Sequence, residues 1–145
     1  MEVLKFSFDE INVMSRLLGS RAKEGNFTHI LGIGRGGLIP GTIISYELDL
    51  PLLTCNVSSY IGKEKNEIKV NHDIKLNQFT KDSKLLVVDD ICDTGETVKW
   101  LSNRLTLADI EHCRACIFTK LKHRDYLNYY ASVVPDDKWI VFPWE

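Results

Sequence analysis

The sequence predicts a single α/β domain built on a mainly parallel central sheet flanked by helices. Three observations carry this expectation. Apolar strand-like runs alternate with helical segments along the chain. Two of those strands end in polar turns, "GRGG" and "DDICDTGET", each followed by a helix. The 145 residues suit one hydrophobic core.

The elements follow in order. "FSFDEINVMSRLLGSRAKEG" reads as an amphipathic helix. Ser7 and Glu10 have capping-box spacing, and Ile11, Met14, Leu17 and Leu18 recur at helical spacing. Gly25 marks its stop. "HILGIG" is a strand ending in the turn Gly34-Arg35-Gly36-Gly37, and "LIPGTIISYEL" is the next helix, with Pro40 and Gly41 weakening its first turn. "LLTCNVSSY" is a second strand. The polar stretch "IGKEKNEIKVNHDIKLNQFTKDS" lacks helical periodicity and reads as a loop or hairpin. "KLLVVDDI" is a third strand, "GETVKWLSNRLTLA" a helix and "RACIFTKL" a fourth strand. "KWIVFPWE" is a short β-rich segment. In such sheets ligands sit beyond the carboxyl ends of the strands.

Composition excludes several classes. The net charge of -2 gives no bulk attraction for nucleic acid. No apolar run approaches the roughly 20 residues of a membrane span. "MEVLKFSFDEINVM" lacks a basic-then-apolar leader pattern, so a cytoplasmic location is expected. Cys113 and Cys116 form a lone C-x-x-C without a second ligand pair, and on a strand they face opposite ways. The four cysteines are expected to be free thiols.

The chemistry concentrates in "LLVVDDICDTGET". Thr94, Gly95, Glu96 and Thr97 open a helix, whose unpaired N–H groups and partial positive charge suit a phosphate. Gly95 lets the backbone approach closely. Asp89 and Asp90 come just before it and suit ribose hydroxyls, a Mg²⁺ shell, or both. The string lacks the lysine of the G-x-x-x-x-G-K-[ST] nucleotide loop. Taken separately, an acidic pair also fits a solvated loop, and D-T-G a plain helix cap.

The whole string resembles the phosphoribosyl-pyrophosphate (PRPP) motif of the type I phosphoribosyltransferases. The further stretches "GRGGLIPG", "SSY" with "EIKV", "IFTK" and "DKWIVFPW" resemble the bacterial xanthine-guanine branch of that family, in the family's order. The resemblance implies a one-domain fold over residues 1–145, with a lid at about 58–72 and a base-binding hood at about 120–145. It implies that Asp93 faces the purine N7 and acts as general base. It places Ile91, Cys92, Asp93, Thr94, Gly95, Glu96 and Thr97 around the ribose 5-phosphate, with Cys92 a packed spacer. Asp89 and Asp90 would hold the ribose hydroxyls, Asp90 nearer to Mg²⁺. Arg35 and Gly36 would contact the pyrophosphate at a turn whose Arg35–Gly36 peptide could be cis. Lys120 would donate to the purine 6-oxo group, Trp139 would stack on the base, and Ile140 would offer its carbonyl. Apart from the resemblance, Lys120 fits a solvated strand end and Trp139 fits a core position.

The implied activity is transfer of phosphoribose from PRPP to guanine, xanthine or hypoxanthine, with Mg²⁺ as cofactor and a homodimer or homotetramer as the assembly. Two other functions stay open: a phosphoribosyltransferase for another base, and a PRPP-sensing regulator without turnover. The chain also departs from the pattern. Asn66 stands where the related lids carry an arginine, which leaves Lys63 or Lys65 to replace it. Glu96 occupies a position that is small in the close relatives.

Overall fold

A computed structural model describes residues 1–62 and 66–145. Its strands are β1 (Glu2–Lys5), β2 (His29–Gly34), β3 (Leu52–Ile61), β4 (Asn66–His72), β5 (Lys84–Cys92), β6 (Glu111–Lys120), β7 (Tyr129–Val134) and β8 (Lys138–Val141). Its α-helices are α1 (Phe8–Ala22), α2 (Leu38–Leu48) and α3 (Glu96–Leu107). Six strands form one sheet in the order β4-β3-β2-β5-β6-β7. All neighbours are parallel except β3 and β4, which pair antiparallel. Strands β1 and β8 form a separate parallel pair. The expected α/β class with a mainly parallel sheet is the one observed.

Local sequence accounts for the helices. The Ser7 hydroxyl accepts from the Glu10 N–H at 3.1 Å, and the Glu10 carboxylate accepts from the Ser7 N–H at 3.2 Å. This is the expected capping box, and it meets two otherwise unpaired donors. Beyond Ala22 the chain makes one 3-10 turn, Lys23–Gly25, and Asn26 then takes a left-handed conformation at φ 56. In α2, Pro40 falls in the first turn, where an N–H has no helical partner to lose, so the helix forms in spite of it. Gly41 lets α2 lie close on β2: a Cβ there would meet the Gly32 Cα at 3.4 Å.

Alternation along the strands splits the core into two layers. Ile30, Leu86, Val88 and Ile117 face α1 and α2, meeting Ile11, Leu18 and Ile44. Leu31, Ile33, Leu85 and Val87 face α3, meeting Val98, Leu101 and Leu105. Cys113 packs with the first layer and Cys116 with the second, as the i, i+3 spacing on a strand requires. All four cysteines are free. Burial, with the nearby Asp73 and Asp89 charges adding to it, pushes the Cys55 thiol up to about 12.

The sequence reading had not marked β1 or β7. Strand β7 extends the main sheet beside β6, with Ala115 opposite Tyr129 and Lys120 opposite Val134. The polar stretch after β3 contains β4, so the hairpin alternative is the observed one. Lys63 and Lys65 lie outside the described residues. No helix among the described residues is long and apolar enough to cross a membrane.

Candidate active site

The chain runs from β2 outward to β3 and then returns to β5 on the other side of β2. That reversal opens a crevice at the carboxyl ends of β2 and β5. The GRGG turn and the acidic turn both end there. Contact between them is direct. A Cβ on Gly36 would overlap the Asp90 carboxylate, and one on Gly37 would overlap the Val88 carbonyl. Only glycine at these two positions lets the turns close on each other. Arg35 is exposed at the rim. The cis peptide lies at Gly34–Arg35, one residue before the Arg35–Gly36 bond suggested by the sequence.

Asp89 and Asp90 are half-buried at the end of β5. Asp89 accepts from the Asp90 N–H at 2.8 Å, and Asp90 accepts from the Ile91 N–H at 2.7 Å. Burial holds the Asp89 carboxyl well above the ordinary carboxylate range, and the Asp90 charge pushes it the same way. Burial also raises Asp90, with its hydrogen bonds pulling back. Two crowded, desolvated carboxylates are a site that a cation would relieve. Among the described residues no group of three or more His, Cys, Asp or Glu side chains could enclose a metal by itself. Two adjacent carboxylates suit an ion that takes one or two protein ligands and completes its shell from a phosphorylated substrate and water, as Mg²⁺ does.

Past Cys92 the chain enters the helix start. Cys92 is 1% exposed and packs in the α3-facing layer, where its thiol pairs with that of Cys116. Gly95 sits at φ 78 as the N-cap of α3. The Thr94 hydroxyl accepts from the Glu96 N–H at 3.4 Å. Residues 91 to 98 line a cleft closed on one side by Ser59 of β3. The backbone N–H groups and the partial positive charge of the helix start suit an anion.

A second cleft adjoins the first. It is lined by Asp90, Ile91 and Asp93 on one wall, and by Lys120, Trp139 and Ile140 among the residues opposite. Lys120 is 6% exposed, so it is not a solvated strand end. Its ammonium donates to the Pro135 carbonyl at 3.1 Å and to the Lys138 carbonyl at 2.6 Å. An ammonium has three protons, so one remains for a ligand. Trp139 is 53% exposed, so it is not a core residue either. Ile140 is buried with its side chain in the core. A third cleft runs from Asp90 to Arg35, Gly36 and Trp144.

The sequence reading missed Ser59 as a wall of the phosphate-like cleft, and Lys138, Phe142 and Glu145 as walls of the second. Ser59 lies within the expected lid range, but nothing local to it marks contact with a loop about 35 residues away. Two internal contacts order the β3–β4 arm. The Tyr60 hydroxyl donates to Glu67 at 2.6 Å. At its base Arg104 of α3 donates to Asp73 at 2.5 Å.

A helix start suited to an anion, an acidic pair and a lysine-tryptophan slot lie together in one crevice, the layout that a phosphoribosyl-transfer site calls for. The family model of the phosphoribosyl transferase domain matches residues 9–145, and the chain belongs to that family. Among curated relatives, the xanthine-guanine phosphoribosyltransferase of Desulfotalea psychrophila is 35% identical over 142 residues, covering 96% of this chain and 84% of the relative. The enzyme of the same name from Idiomarina loihiensis is 32% identical over 143 residues, with the same coverage. A solved purine phosphoribosyltransferase from Pyrococcus horikoshii superposes with a TM-score of 0.83 at 31% identity, over 100% of this chain and 95% of that one.

Proposed function

We propose that this chain is a purine phosphoribosyltransferase, which transfers phosphoribose from PRPP to a 6-oxopurine and releases pyrophosphate. Guanine, xanthine and hypoxanthine are the substrates in this reading. One observation carries it. Ile91 and Asp93 border both the anion cleft and the lysine-tryptophan slot, while Asp90 borders that slot and the Arg35 cleft. A ribose at this junction reaches its 5-phosphate, its base and its pyrophosphate in three different clefts.

The residues then divide the work. Thr94 to Thr97 hold the 5-phosphate through the α3 start. Asp89 and Asp90 hold the ribose hydroxyls and a Mg²⁺ ion, which when bound neutralises charge on the pyrophosphate. Arg35, with the Gly36 backbone, steadies the leaving group. Asp93 accepts the proton at N7 as the purine attacks C1 of the ribose. The remaining N–H of the Lys120 ammonium donates a hydrogen bond to the 6-oxo group. A donor in that place rejects a 6-amino group, which disfavours adenine. Trp139 stacks on the base and Ile140 offers its carbonyl. The β3–β4 arm excludes water from the crevice.

The reading includes a cytoplasmic place in purine salvage and a homo-oligomeric assembly. Four unpaired thiols support a reducing compartment. The direct test is a product assay with PRPP, Mg²⁺ and each of guanine, xanthine, hypoxanthine and adenine. Nucleoside monophosphate from at least one oxopurine, and little from adenine, is the expected result. Activity confined to adenine or uracil would refute the substrate class. PRPP binding with no turnover on any base would select the regulator.

A further inference from the structure

We infer that strand β1 is a positioning element for base recognition, acting through β8, and that Glu2 and Leu4 are its positioning residues. The inference rests on the proposed use of the lysine-tryptophan slot. Strand β8 carries Trp139 and Ile140 but does not join the main sheet. Its strand partner is β1 alone among the described residues. The register sets Glu2 opposite Lys138, Val3 opposite Trp139 and Leu4 opposite Ile140. The Phe6 N–H extends the pairing to the Val141 carbonyl at 3.3 Å.

The same short strand reaches both elements on the lysine-tryptophan side of the slot. The Glu2 carboxylate is ion-paired to the Lys138 ammonium. The Lys138 carbonyl is one of the two that hold the Lys120 ammonium. Just past β1, the Phe6 ring lies 4.7 Å from that of Phe118, two residues before Lys120 on β6. The end of β6 and strand β8 thus together form the side of the slot opposite Asp90, Ile91 and Asp93, and β1 with Phe6 spans them. Glu2, Leu4 and Phe6 line none of the three clefts, so they touch no ligand themselves. The 5-phosphate cleft is built by β5, α3 and β3, which β1 does not pair with. Loosening β1 therefore misplaces Trp139 and the Lys120 donor relative to each other, and leaves the 5-phosphate cleft intact.

The test is steady-state kinetics with guanine and PRPP varied separately, on wild type, Leu4→Pro, Glu2→Lys and the conservative Glu2→Asp. Proline cannot supply a strand N–H, and Leu4→Pro is expected to raise KM for guanine about tenfold. Glu2→Lys, an exposed change compatible with folding, is expected to raise it about threefold. In both, KM for PRPP stays within about twofold, since β1 pairs with none of the elements that build the 5-phosphate cleft. Glu2→Asp, which keeps a carboxylate opposite Lys138, holds KM for guanine near wild type. Equal shifts in both KM values, unchanged KM for guanine in Glu2→Lys, or a Glu2→Asp no better than Glu2→Lys would each overturn the inference. Wild type is the control for the underlying reading: if it makes no product from any oxopurine, the slot assignment fails, whereas normal wild-type turnover with any of those three outcomes sinks the β1 role alone.

Discussion

Lys120 shows how one side chain joins stability to recognition. Its ammonium closes two carbonyls of the segment that carries Trp139, which is why it is buried at a strand end. Lys120→Met is expected to strand both carbonyls, at a cost of about 1–3 kcal/mol in stability, and to raise KM for the oxopurine. A melting curve and a base titration read the two effects separately, and loss of base affinity with no loss of stability would contradict the dual role. Trp139 should behave in the opposite way. Half of its surface is free, so Trp139→Ala is expected to change stability by no more than about 0.5 kcal/mol while raising KM for the base. A cooperative loss of stability would return Trp139 to the core. Asp93, on the wall shared by two clefts, is the proposed base, and Asp93→Asn is expected to cut turnover by roughly 10²-fold. Near-normal turnover in that variant would remove it from the role.

Elements place these residues through a few local devices. The start of α3 needs a left-handed residue at Gly95 so that the chain can turn from β5 and present its N–H groups. The base of the β3–β4 arm is tied by the Asp73–Arg104 pair to the helix that begins at the anion cleft. Burial alone would raise the Asp73 carboxyl, but the hydrogen bonds from Arg104 and from the Ile74 N–H outweigh it and hold the group below its ordinary 3.8. A carboxyl lowered by folding stabilises the fold above its unfolded value and loses that contribution as pH falls through its folded one. The pair is partly exposed, so it is worth at most about 1 kcal/mol. Asp73→Asn should therefore be less stable than wild type at neutral pH, with the difference closing as the pH drops below 3.8. A gap that persists unchanged into acid, measured by denaturant unfolding, would rule the charge out. The capping box of α1 joins Ser7 to Glu10 and was legible beforehand, whereas the Asp73–Arg104 tie joins positions 31 apart and was not.

At the scale of the whole molecule, the site exists because the sheet reverses its order at β2. PRPP with Mg²⁺ should bind the folded state only, and at about 100 times its Kd should stabilise the protein by about 2.7 kcal/mol. A thermal shift seen with the base alone, and none with PRPP and Mg²⁺, would contradict the proposed division of the crevice. The sequence by itself determined the α/β class, most of the strands and helices, and the loop from Asp89 to Thr97. Those features are local: alternation, helical spacing, capping residues and glycine lie within a few residues of one another. Only the tertiary structure decided that β1 pairs with β8, that β7 extends the sheet, and that Gly36 meets Asp90. It also decided that Lys120 is buried and Trp139 exposed. Short strands draw their stability from partners far along the chain, and the burial of a side chain depends on what packs over it. Neither property is written in a residue's own neighbourhood.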